Sequence, residues 1–222
     1  MVTLKDIQRH VGVTADGIWG PATAAAIACA LGMGTARRTL ANAEAFFAGL
    51  RKVTGPLAQI QVEVVNRLLA DAAHWPAGWL AYGLATAWHE ARLKPIEEWG
   101  KGKGRDYGKV NSTGKAPYGR GLVQLTWHAN YETMDTALGL GGRLAKNYDL
   151  ALDPAIASRI LVVGMERGLF TGKSLATYLP AELGTLSEFR AARRIINGTD
   201  RADLIASYAD KIQMALIAGE WK

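Results

Sequence analysis

The amino-acid sequence predicts a mainly α protein, in which a small helical unit precedes a larger α-rich domain, and three observations carry that prediction. Apolar residues recur with helical period through most of residues 40–218, several of these stretches open on helix-start signals, and the glycine-rich interval 99–125 lacks the period. A chain of 222 residues accommodates one domain of ordinary size plus a short accessory unit. Hydrophobic residues make up 49% and charged residues 21%, the balance of a folded globular chain, so the glycines mark turns rather than disorder.

Residues 4–11 and 21–31 read as two short helices joined by Val13-Thr14-Ala15-Asp16-Gly17-Ile18-Trp19-Gly20. Asp16-Gly17 is a tight-turn pair. Gly20 permits unusual backbone angles, and Pro21 suits a first helical turn, where its missing N–H would be unpaired anyway. Gly32-Met33-Gly34 is expected to end the second helix, and a polar connector follows it. The boundaries drawn are 1–35 for the N-terminal unit, 36–39 for the connector and 40–222 for the main domain.

In the main domain, helices are expected over 40–52, 56–74, 78–91, 128–138, 154–167, 187–196 and 200–218. Asp153-Pro154 combines an N-cap with proline at the first helical position, Gly55-Pro56 is similar, and Asn197-Gly198 supplies a stop. The interval 99–125 reads as an extended loop, with at most a small β-hairpin over 118–126.

Composition narrows the function classes. Cys29 is the only cysteine, which excludes an intramolecular disulfide and a Cys-rich zinc site, and its place in the apolar run 24–31 predicts a buried thiol. The first 30 residues lack a basic-then-apolar signal pattern, and no segment approaches the roughly 18 apolar residues of a bilayer span. The expectation is a chain made in the cytoplasm, without stable membrane insertion, that needs a separate release route to act outside. A net charge of +6 and a pI near 9.5 favour a polyanionic partner. The basic residues occur in scattered pairs (Arg37-Arg38, Arg51-Lys52, Arg193-Arg194) and one looser run, 101–105, without interleaved aromatics for stacking bases. That pattern weighs against nucleic acid.

Metal and phosphate chemistry are also disfavoured. His10, His74, His89 and His128 show no ligand-type spacing, and His89-Glu90 lacks a second histidine at position 93, which is Leu93. Gly172-Lys173-Ser174 ends a string like a phosphate-binding loop, but Arg167 stands where that loop requires glycine. No cofactor and no metal are expected.

The stretch 78–91 is apolar almost throughout, yet finishes with His89-Glu90. Burial disfavours a charged carboxylate, and so does the partial negative charge at a helix C-terminus, so both effects are expected to raise the pKa of Glu90. A general acid near neutral pH needs such surroundings. Glu97 and Glu98 follow, just before Lys101, Lys103 and Arg105, whose positive charge keeps a carboxylate ionised, as a base requires. One carboxyl kept neutral and one kept charged are what glycoside hydrolysis uses.

Two resemblances sharpen this reading. Leu4, Gln8, Val11-Gly12-Val13, Asp16-Gly17-Ile18-Trp19-Gly20-Pro21 and Thr23 together resemble the small three-helix peptidoglycan-binding module of wall hydrolases. The string YGRGLVQLTWHANY, residues 118–131, resembles the signature of family 19 glycoside hydrolases and the related lysozyme-like phage lysins. Upstream, Thr86-Ala87-Trp88-His89-Glu90 is similar to that family's His-Glu motif, and downstream, residues 193–198 are similar to its Arg-Arg-Ile-x-Asn-Gly segment.

The second resemblance implies a lysozyme-like α-rich catalytic domain with Glu90 as general acid and Glu98 as the base that activates water, Glu97 being the alternative. It implies that Thr126 helps hold the water, that His89 supports the acid, and that Gln124, Asn130 and Asn197 line a sugar cleft. Trp99, Tyr107, Tyr118 and Trp127 are candidate sugar platforms. It also implies inversion, with carboxyls roughly 6.5–9.5 Å apart. The chain departs from plant chitinases in having no disulfide framework and in reading Ala91-Arg92 after the acid. With the wall-binding motif, these departures favour peptidoglycan glycan strands as partner and an endolysin as the role, acting as a monomer on the anionic cell wall. The alternatives are a chitinase acting on chitin oligomers and a non-catalytic wall-binding protein.

Overall fold

The computed structural model describes residues 1–13, 15–31 and 37–222. It is mainly α, as the periodicity predicts, and its two short strands form the sole sheet among the described residues. The N-terminal unit contains α1 (Leu4–His10) and α2 (Pro21–Ala30). Thr3 caps α1 in a reciprocal capping box with Asp6. Between the helices Gln8 is buried and uses its whole amide. Its Nε2 donates to Asp16 Oδ1, the Ile18 carbonyl and Thr23 Oγ1 at 2.8, 2.9 and 3.0 Å, and its Oε1 accepts the Gly17 N–H at 2.8 Å. The motif residues Gln8, Asp16, Gly17 and Thr23 are thus one hydrogen-bonded turn. The expected helix stop at Gly32-Met33-Gly34, residue 36 of the connector and the thiol of Cys29 lie outside the described residues.

The main domain closes on itself. Thr39 and Lys222 exchange backbone hydrogen bonds of 2.8 and 3.1 Å, Leu40 bridges Trp221, and the Trp221 indole donates to the Trp75 carbonyl at 3.0 Å. Its helices are α3 (Ala43–Thr54), α4 (Gln59–Asp71), α5 (Ala77–Ala91), α6 (His128–Leu138), α7 (Arg143–Lys146), α8 (Pro154–Arg167), α9 (Leu175–Tyr178), α10 (Leu186–Ala192) and α11 (Ala202–Ala218). Helix α5 runs through the centre, with α11 packed along it, α3 and α10 against α11, and α4 against α8.

Capping explains where expectation and structure differ. Helix α3 starts at Ala43 rather than residue 40 because the Asn42 side chain accepts the Ala45 N–H. Helix α8 starts at Pro154 because the Asp153 side chain accepts from Ala155 and Ile156. The stretch expected as one helix over 187–196 is α10 followed by a 3₁₀ turn, Arg193–Ile195. Helices α7 and α9, four residues each, are too short to show a period. The hairpin expected within 118–126 is also revised. Strand β2 (Arg120–Gly121) pairs antiparallel with β1 (Ile96–Glu97), outside that interval, and a single bridge joins Arg120 to Leu125.

Close approach of α3 and α11 requires glycine. A Cβ on Gly49 would lie 2.6 Å from the Ala215 Cβ. The Gly49→Ala variant should therefore be destabilised by about 1–3 kcal/mol through overpacking, lowering Tm by roughly 2–4 °C per kcal/mol. Calorimetry of the two chains checks this, and an unchanged Tm would mean that the helices do not meet there.

Candidate active site

Helix α5 is apolar around its whole circumference, and every residue from Ala77 to Ala87 is buried. A helix with no polar face belongs in the interior, so polar groups surface only at its end, where Trp88, His89 and Glu90 are half-buried. The helix stops because Arg92 and Leu93 both take left-handed backbone, φ 52° and 54°. That conformation costs a non-glycine residue roughly 1–2 kcal/mol. Three contacts hold it: Leu93 is buried, the Arg92 guanidinium lies 4.8 Å from the Trp88 ring centroid, and Gln61 Nε2 donates to the Arg92 carbonyl at 2.7 Å.

Glu90 is not alone at this helix end. Arg193 Nη1 donates to Glu90 Oε1 at 2.6 Å, and Arg193 Nε donates to the Asp200 carbonyl at 2.8 Å. The arginine side chain is 2% exposed and the glutamate side chain 18%. Glu90 is therefore one half of a partly buried ion pair. His89 lies beside the pair. Burial holds its imidazole below the usual histidine range, against the opposing influence of Glu90, so it is neutral at neutral pH. Asn197 is exposed immediately after the same 3₁₀ turn, its N–H donating to the Arg193 carbonyl at 3.0 Å.

The second wall is built on the β1–β2 pair. Glu97 ends β1 and Glu98 follows it, and the two carboxylates meet different partners. Glu97 accepts from the Tyr118 hydroxyl in a short hydrogen bond and pairs with Lys101 Nζ at 3.1 Å. The Tyr118 hydroxyl, and after it Lys101, hold the Glu97 carboxyl below the ordinary carboxylate range. Glu98 meets different partners. Its Oε2 accepts the Gly119 N–H at 3.0 Å and its Oε1 accepts the Tyr107 hydroxyl at 3.1 Å, with no cation at ion-pair distance among the described residues. Burial, then the bond to Glu98, push the Tyr107 phenol up, which keeps it a donor. A Cβ on Gly119 would meet Gln124 Oε1 at 3.0 Å and Glu98 Cβ at 3.2 Å, so glycine lets the carboxylate sit against the backbone.

The segment 118–131 carries this wall. Tyr131 donates to the carbonyls of Tyr118 and Leu125 at 3.0 and 2.8 Å, tying both ends of the loop to α6. Gln124 and Trp127 have left-handed backbone, φ 52° and 68°. Gln124 Nε2 donates to the Ile96 and Gly121 carbonyls at 3.2 and 3.3 Å, and Asn130 Nδ2 donates to the Thr126 carbonyl at 2.9 Å. Both amides, expected to line a sugar cleft, donate to backbone carbonyls. Thr126 is half-buried between them. Tyr118 has no open face for a sugar, being buried with the Arg120 guanidinium 3.7 Å from its ring centroid. Trp127, 49% exposed and edge-on to Tyr107 at 5.4 Å, and the fully exposed Trp99 present open faces instead.

The predicted residues therefore fall into two groups, His89, Glu90 and Asn197 around Arg193, and Glu98, Gln124 and Trp127 around Gly119 and Tyr107. Sequence reasoning missed the partners Arg193 and Gly119, although both lie within the motifs it used. A cavity of about 670 Å³, lined among others by His10, Arg37, His74, Arg159 and Glu166, includes none of these residues.

No family model matches the chain, and no curated protein matches it. Among solved structures it is similar to the crystal structure of a glutamate-to-glutamine mutant of chitinase C. The identity is 20%, the TM-score is 0.52, and the match covers 79% of this chain and 92% of that one. The chain thus has a chitinase-like fold.

The Tyr118–Glu97 bond makes a pH prediction. A carboxyl lowered in the folded state adds stability that is present above its ordinary value of 4.5 and lost as pH falls through the folded value. Tyr118→Phe removes the largest cause, so thermal melts from about pH 6 to pH 3 should show a shallower acid loss in the variant than in the natural chain. Parallel curves for the two chains would contradict the assignment.

Proposed function

We propose that the chain is a glycoside hydrolase that cuts the β-1,4-linked glycan of bacterial peptidoglycan by inversion, without a cofactor. The pinned Glu98 carboxylate carries this reading. Two neutral donors orient both of its oxygens, no counter-ion among the described residues neutralises it, and its neighbour Glu97 is already engaged with Tyr118 and Lys101. A carboxylate so held is suited to take a proton from water.

In this mechanism Glu98 is the base, and Thr126 helps hold the attacking water. As the water oxygen bonds to the anomeric carbon, its proton passes to Glu98 and the bond to the leaving sugar oxygen breaks. Glu90 supplies the proton to that oxygen. Arg193 occupies Glu90 Oε1, so Oε2 is the atom that delivers it. Inversion leaves room for the water when the carboxyls stand roughly 6.5–9.5 Å apart. Trp127 and Trp99 offer the aromatic faces on which sugar rings stack. The N-terminal unit, whose motif resembles a peptidoglycan-binding module, holds the enzyme on the wall, and the role that fits is that of an endolysin releasing phage progeny.

Chitin oligomers are the second reading, favoured by the similarity to chitinase C. Both polymers present β-1,4-linked N-acetylhexosamines, so one pair of carboxylates serves either. The basic charge of +6 and the wall-binding motif favour the anionic polymer.

Glu90→Gln and Glu98→Gln should each reduce turnover of purified sacculi at least about 100-fold. NMR of the products should show the α-anomer first, and an initial β-anomer or unimpaired variants would refute the scheme. Faster cleavage of chitin oligomers than of sacculi would move the assignment to the second reading. Deleting residues 1–35 should weaken adsorption to sacculi about tenfold and leave turnover of soluble oligomers unchanged, since a second binding module acts by raising local concentration. Sedimentation with sacculi measures the first, and undiminished adsorption would remove the wall-binding role.

A further inference from the structure

The excursion between β1 and β2 carries five cations, Lys101, Lys103, Arg105, Lys109 and Lys115. Three are neutralised: Lys101 by Glu97 at 3.1 Å, Lys109 by Asp106 at 2.6 Å and Lys115 by Asp149 at 2.6 Å. Lys103 and Arg105 are exposed and have no carboxylate at ion-pair distance among the described residues. The backbone holds them in place beside the Glu98 wall. The Lys103 N–H donates to the Gly100 carbonyl at 2.9 Å, the Arg105 N–H to the Gly102 carbonyl at 2.9 Å, and the Gly108 N–H to the Arg105 carbonyl at 3.0 Å. Gly102 and Gly108 touch so closely that a Cβ on Gly108 would stand 1.9 Å from the Gly102 oxygen. Tyr107, within this turn, bonds Glu98, and the Arg105 charge is felt at its phenol. The fully exposed Trp99 and largely exposed Val110 belong to the same excursion.

A neutral glycan of N-acetylglucosamine has nothing for these cations to meet. A peptidoglycan strand differs in having peptide stems with free carboxylates on its muramic acids. We propose that Lys103 and Arg105 form a subsite for stem-peptide carboxylates, so that the loop beside the base selects stem-bearing glycan over bare glycan. The guanidinium of Arg105 matches a carboxylate in bidentate geometry, and Lys103 adds a second point charge. This subsite rests on the glycan-cleaving reading above. Because both groups are exposed, their effect is modest for each pair and sensitive to salt.

The test compares the natural chain with a Lys103→Ala, Arg105→Ala double variant on three substrates: stem-bearing strands from sacculi, the same strands stripped of peptide by an amidase, and a neutral N-acetylglucosamine hexamer. The double variant should lose about fivefold in kcat/KM on stem-bearing strands at low salt, less on the stripped strands, whose muramic acids keep a single lactyl carboxylate, and nothing on the neutral hexamer. The difference should vanish near 1 M salt, where charges are screened within about 3 Å. Undiminished cleavage of stem-bearing strands, or equal loss on all three substrates, would overturn the subsite. A binding arm separates this outcome from failure of the enzymatic reading. A soluble disaccharide-pentapeptide and the peptide-free disaccharide are titrated into the Glu90→Gln chain, with and without the double substitution. If the natural chain cleaves none of the substrates, the enzymatic reading falls. Stem-dependent affinity that the double substitution abolishes still supports the subsite, and affinity indifferent to the stem or to the substitution rejects it.

Discussion

Arg193 is a guanidinium with 2% of its side chain exposed, and the one carboxylate it meets at ion-pair distance among the described residues is Glu90. Withdrawing such a charge from water costs several kcal/mol, which only close pairing and further hydrogen bonds offset. The 2.6 Å bond to Glu90 and the 2.8 Å bond to the Asp200 carbonyl supply both. The end of α5 and the turn after α10 are consequently fixed to each other, although 103 residues separate the paired side chains. Helix α11 packs against both α5 and α10, so the same pair also sets the frame on which the C-terminal helix lies.

A second buried guanidinium organises the surroundings of Glu97 and Glu98. Arg120, 3% exposed, covers the Tyr118 ring and donates to Asp149 and to the Ala116 and Tyr118 carbonyls at 3.0 to 3.1 Å. Tyr118, placed in this way, engages Glu97, whereas Glu98 meets Gly119 and Tyr107. Each wall therefore uses an arginine to immobilise structure and presents a glutamate next to it. In one wall the arginine touches that glutamate, whereas in the other it acts through a tyrosine on the neighbouring one.

Backbone strain collects around the same groups. Among the described non-glycine residues with left-handed backbone, Arg92 and Leu93 turn the chain just after Glu90, and Gln124 and Trp127 shape the loop facing Glu98. Strain of this kind persists only where surrounding contacts over-determine it. Here the restraints are the burial of Leu93, the Gln61 bond to the Arg92 carbonyl, and the two bonds of the Tyr131 hydroxyl. Glu90 and Glu98 thus stand on a rigid helix end and beside a tightly tied loop.

The helical architecture was legible in the sequence because one-sided burial imposes a period on most of the long helices, and because caps such as Asp153-Pro154 act within four residues. The apolar belt of α5 announced that Glu90 would stand at the edge of the core, and the 118–131 string announced the loop beside Glu98. Short elements such as α7 and α9 escaped because four residues carry no period. Which charge faces which depended on the fold alone. The Arg193 partner of Glu90 appeared only when residue 193 arrived beside it, and the different partners of Glu97 and Glu98 only when β1 paired with β2. Local pattern determines secondary structure through contacts a few residues apart, whereas the electrostatics of a site arise from contacts across the chain that leave no periodic trace in it.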